Sequence, residues 1–168
     1  AFAAYDALRN SNQGKSFYSF WQFMLDDASQ VHEGRRADIV LWHSQFYMQT
    51  KNLHIADETV TKILESGEAL APSSAKLIGA LALAYYDLDQ MEKAGAYGEK
   101  ANSLGSGNTG GQLFESMRER DNKNVQKAYE MSLRAKEADI FGHPMVHYMF
   151  AICHWEYIVA KFPNSWYA

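Results

Sequence analysis

One cysteine and three prolines in 168 residues leave little to staple or break this chain. Cys153 alone excludes an internal disulfide and any multi-cysteine metal cluster. It stands among Phe150, Ile152 and Trp155, the setting of an inert buried thiol. Pro72, Pro144 and Pro163 each fall where a helix should begin or stop, so no helix interior is interrupted. Alternating β-branched runs are missing, which removes the signal for a sheet. Positive charge is scarce: 16 Lys and Arg against 20 Asp and Glu leave a net charge of −4. The basic groupings, Arg35-Arg36 and Arg118 with Arg120, are flanked by acids. No nucleic-acid partner is therefore expected, since that would need a clustered basic surface. The longest apolar run, 77–86, is about half of what a bilayer requires, so no membrane span is expected. No signal peptide is visible either, but the chain starts at Ala1 without methionine, so a missing targeting segment says little.

What is present is apolar material. Hydrophobic residues make up 47% and aromatics 14%, enough for one globular domain with a core and an aromatic excess to bury or display. Apolar spacing and breakers predict helices at 2–10, 15–31, 36–50, 54–67, 73–87, 90–104, 111–120, 122–138 and 144–161. The connections between them are short, as expected for antiparallel helix hairpins.

Residues 75–108 carry the most specific pattern. Small residues stand at Ala82, Ala94 and Ala101, an aromatic at Tyr85, and a polar turn at 87–90. Short side chains there let two antiparallel helices approach closely, and the aromatic fills the notch beside them. The nine residues from Tyr85 to Ala94 also separate Tyr47 from Ala56. Ala128, Ser132 and Ala135 reproduce the spacing of positions 94, 98 and 101 at an offset of 34 residues.

This layout resembles the tetratricopeptide repeat. The resemblance implies an all-α fold, a right-handed superhelical stack of antiparallel helix hairpins forming one domain over 1–168. Its parts would be a divergent N-terminal hairpin at 1–33, repeats at about 37–70, 75–108 and 109–142, and a capping helix at 144–161. Departures exist. Gly98 stands where such repeats usually carry an aromatic, His43 and Ser44 replace a leucine–glycine pair, and Glu119 replaces the third aromatic.

Chemistry-bearing patterns are few. The stretch 105–111 is rich in glycine but lacks the lysine followed by Ser or Thr of a P-loop, and reads as a flexible connection. His143, His147 and His154 fall broadly on one helical face, which could hold a metal, yet His143 precedes a proline and no H-E-x-x-H is present. No catalytic triad setting or nucleophile elbow is recognisable, so neither an enzyme nor a cofactor is expected. In 16–25 the stripe of Phe17, Phe20, Trp21 and Met24 suits a core-facing helix, with Tyr18 and Phe23 at its edge.

In tetratricopeptide proteins the first helix of each hairpin lines a concave peptide-binding groove. Transferred by position, the resemblance puts Leu41, Gln45, Met48 and Gln49 on that groove, then Gly79, Leu83 and Tyr86, then Leu113 and Met117, and finally His147, Ala151 and His154. The lysine, arginine and asparagine of carboxylate-clamping members are missing. The function this implies is a non-enzymatic scaffold that binds a protein or peptide, an extended or helical apolar segment with its amides caught by Gln45 and Gln49. The other function class is a helical small-molecule or metal-binding domain using His147 and His154.

Overall fold

Helix starts are set by capping side chains. Asp57 accepts from the amides of Thr59 and Val60, both at 2.9 Å. Asn108 accepts from Gly111 at 2.7 Å, and His143 Nδ1 from Met145 at 3.2 Å, with Pro144 in the first helical position. Each cap satisfies an amide that the first turn leaves without a partner. The computed structural model describes residues 32–163. These described residues form seven helices: α1 (Glu33–Lys51), α2 (Glu58–Glu68), α3 (Ala75–Asp87), α4 (Met91–Leu104), α5 (Thr109–Asp121), α6 (Val125–Ala138) and α7 (Pro144–Lys161). No strand occurs among the described residues. The expected helices at 2–10 and 15–31, with the aromatic stretch 16–25 and the body of the hairpin 1–33, lie outside them.

Each helix packs on the next. The odd-numbered helices also pack on one another in sequence, α1 on α3, α3 on α5 and α5 on α7, and no even-numbered helix packs substantially on another. The chain is thus a row of helix pairs with the odd helices forming one side. α3 sits in the middle, and every residue from Leu77 to Tyr85 is buried. The longest apolar run is therefore the central helix of the row, hydrophobic all round because neighbours surround it. No helix among the described residues is long and apolar enough to cross a membrane. One core cluster gathers Val40, Leu64, Leu77, Leu81 and Tyr85. A second joins Leu113, Ala128, Ala135, Val146, Met149 and Cys153 between α5, α6 and α7.

The repeat register needs one correction. Ala56 was expected to be the close-packing alanine of the first hairpin, on a helix starting near 54. The Asp57 cap delays α2 to Glu58, so Ala56 lies in the connection, its amide donating to Asp87 Oδ2 at 2.7 Å. The buried positions of α2 are instead Thr61 and, in the 34-residue register, Val60, Leu64 and Gly67; these last three carry the spacing. They stand 34 residues before Ala94, Gly98 and Ala101, which stand 34 before Ala128, Ser132 and Ala135. All nine are buried. The spacing that pairs the helices is thus uniform over three hairpins.

The glycine-rich stretch is not a slack connection either. Gly110 and Gly111 are buried in the first turn of α5. A Cβ on Gly110 would lie 2.1 Å from the Gly79 carbonyl oxygen of α3, so only glycine allows this backbone approach. The departures from the repeat pattern have local reasons as well. Phe114 presses on Gly98, where a Cβ would sit 3.0 Å from its ring. Glu119, in place of an aromatic, is buried and bonded to Lys127 at 2.7 Å and Asn124 at 3.1 Å across the α5–α6 pair.

Candidate functional site

An open groove of about 550 Å³ lies where the C-terminal end of α3 faces the start of α7. Ile55 from the α1–α2 connection, Tyr86, Asp89 and Met91 line one side, and Pro144, Met145 and Tyr148 the other. Three of these apolar residues are unusually open to solvent: Ile55 at 49%, Met91 at 54% and Tyr148 at 58%. Large apolar side chains clustered around a concavity mark a place where another molecule can bury them.

The floor of the groove is a buried hydrogen-bonded hub. Asp87 Oδ1 is 2.7 Å from His143 Nε2, and their side chains are only 4% and 5% exposed. Because His143 Nδ1 accepts from the Met145 amide, its Nε2 carries the hydrogen that Asp87 accepts. Asp87 Oδ2 takes the Ala56 amide, so one carboxylate ties together the α1–α2 connection, the end of α3 and the start of α7. Both ring nitrogens of His143 are committed, which leaves none facing the groove as a general base. Tyr86 stands beside this hub, edge-on to Phe114 at 5.9 Å between centroids. Burial, then the charges of Asp87 and Asp89, push its phenol pKa up. The groove therefore has apolar walls and an acidic edge at Asp89, with no Lys or Arg among its lining residues.

Next to the groove, the segment 139–143 crosses the row of odd helices. Ile140 and Phe141 lie over Leu41 of α1, Ala80 and Leu83 of α3, and Thr109 of α5, leaving only about 20 Å³ between them. Gln45 Nε2 donates to the Ile140 carbonyl at 2.8 Å. Asp139 folds the segment by accepting from the amides of Phe141 (3.0 Å) and His143 (2.7 Å). Gly142, at φ +67°, supplies the left-handed residue that turns the chain into α7.

The residues expected to line a partner groove meet different fates. Tyr86 is in the groove and Gln45 faces the crossing segment. Met48 and Leu83 are corrected to core: they are 6% and 2% exposed, because α1 and α3 turn these positions inward. Leu41, Gly79 and Leu113 are buried too. Met117 is partly buried against the second core cluster. Gln49 and Ala151 are exposed. His147 and His154 do not converge. His147 is exposed with Nε2 3.9 Å from Asp139, whereas His154 stacks on Tyr129 at 5.1 Å between ring centroids. No group of three or more His, Cys, Asp or Glu gathers as a metal set among the described residues. Burial raises the Cys153 thiol pKa, against a hydrogen bond from Ser132, and keeps it a core group.

Ile55, Asp89, Met91, Met145 and Tyr148 were missed because they sit at helix ends and in a connection, outside the repeat register. Two signals were available: the apolar Ile55 in the short α1–α2 connection, and the His143-Pro144-Met145 start of α7. No family model, curated protein or solved structure matches this chain.

Proposed function

We propose that the chain is a non-enzymatic protein-interaction scaffold of tetratricopeptide type, its helix pairs stacked as a right-handed superhelix. The uniform 34-residue spacing of buried helix-pairing positions and the packing of odd helices on odd helices support the repeat. The odd helices line the binding side, and the groove at its rim takes an apolar segment of a partner protein. The observation that carries this is the exposure of Ile55, Met91 and Tyr148 around one concavity. Asp89 at its edge favours a Lys or Arg beside the apolar anchor of the ligand.

A phage-displayed peptide library selected on the protein is expected to enrich an aromatic or aliphatic anchor next to a basic residue. Tyr148→Ala should weaken the selected peptide on the order of thirtyfold, about 2 kcal/mol, with circular dichroism unchanged. Peptides that bind wild type and Tyr148→Ala alike would remove the groove from consideration.

A further inference from the structure

We propose that residues 139–142 are an intramolecular occupant of the inner peptide groove, and that a partner segment carrying an aliphatic–aromatic pair displaces them. The proposal rests on the scaffold reading and deepens it by naming what the inner face binds.

Peptides laid along a helical groove are held in two ways, by polar side chains on their backbone and by an anchor side chain in an apolar notch. The segment meets both conditions. Its Ile140 carbonyl takes the Gln45 amide at 2.8 Å, and Phe141 is half-buried against the first core cluster. Ile140 itself points partly outward, 43% exposed, as the neighbour of an anchor does. The space left beneath Ile140 and Phe141, about 20 Å³, is room for a water and nothing larger.

The occupant is also built to leave. Its own turn is closed by two bonds to Asp139, and because His143 stays fixed at the Asp87 hub these bonds open when residues 140 and 141 leave. The Gln45 bond and the packing of Ile140 and Phe141 over α1, α3 and α5 tie residues 140 and 141 to the groove. The flanking helices do not depend on them: α6 and α7 are joined by Ala128, Ala135, Val146, Met149 and Cys153, and by Tyr129 stacked on Tyr157 at 4.7 Å. The segment can therefore swing out at Gly142 while both helices stay in place. A competing ligand would supply the same pair of features, an extended backbone carbonyl for Gln45 followed by an aromatic ring.

The test uses a fluorescein-labelled peptide with the sequence of residues 137–143, titrated against the whole protein by anisotropy. Wild type should bind it weakly. Phe141→Ala, which empties the anchor position, should bind it at least tenfold tighter, and adding Gln45→Ala should cancel that gain. A control peptide with its phenylalanine replaced by alanine should bind none of the variants. A folded Phe141→Ala that binds no tighter than wild type overturns the proposal. Should that variant fail to fold, hydrogen exchange on wild type decides. Saturating peptide should expose the amides of Phe141 and His143 to exchange, and unchanged protection, or no binding at millimolar peptide, sinks it. If library peptides bind through Tyr148 while this peptide never binds, the scaffold reading stands and the occupied groove does not.

Discussion

Along the seam of α3, α4 and α5 the contacts are between backbones and the smallest side chains. Gly79 meets Gly110, Gly98 receives Phe114, and Ala94 and Ala101 are fully buried. At the α3–α7 groove the same chain displays Ile55, Met91 and Tyr148 to solvent around a polar floor. The seam is tight because its helices approach closely, and at Gly110 nothing can be added without moving a backbone. The groove is loose because no helix of the row covers it. On the proposed reading, stability rests on the seam and recognition on the groove, which makes them separable by mutation.

Substitutions in the seam should have the largest effect on folding. Gly110→Val sets a branched side chain where even a Cβ would lie 2.1 Å from the Gly79 oxygen. A loss of about 3 kcal/mol or more in urea unfolding is expected, and a near-native midpoint would mean α3 and α5 are not in backbone contact. Ala94→Leu, at a position with no exposure, should cost about 1–3 kcal/mol through overpacking. At the border between the two regions, Asp87→Ala strips partners from the buried His143 ring and the Ala56 amide. About 2 kcal/mol should be lost, and α7 should exchange faster than α4. In the groove, Met91→Ala and Tyr148→Ala should shift stability by no more than about 0.5 kcal/mol while weakening a bound peptide.

The pH dependence is the smallest effect. Burial lowers the His43 pKa, so the folded state favours the neutral ring. Its contribution is present above the ordinary histidine value, about 6.5, and is lost as pH falls through the lowered folded value. Thermal melts should show wild type losing more stability than His43→Gln below that pH. Parallel curves for the two would assign the acid sensitivity to other groups.

The seam was largely legible in the sequence because close approach demands particular small residues. Ala94 and Ala101 identify it, and Ala128 and Ala135 repeat their spacing on α6. The first hairpin misled because Tyr47 to Ala56 copies the nine-residue spacing of Tyr85 to Ala94, while the Asp57 cap shifts the helix and passes the pairing role to Val60, Leu64 and Gly67. The glycines at 110 and 111 read as slack because composition does not distinguish a hinge from a close contact. The groove was mostly illegible. Tyr86 lines the concavity, but Ile55, Met91 and Tyr148 are brought beside it only by the way the α1–α2 connection and the starts of α4 and α7 meet near Asp87. Met48 and Leu83 occupy the helix positions expected to line a groove, yet are buried in the core, Leu83 beside Ile140 and Phe141. No periodicity announces that segment.

The most direct measurement is amide hydrogen exchange of the whole protein with and without a saturating selected peptide. Protection should change around Tyr86, Met91, Met145 and Tyr148, with the seam from Ala94 to Leu113 left as it was. Changes centred on the seam or on the outer side of α2 and α4, with the groove unaltered, would contradict a division of labour between the two regions.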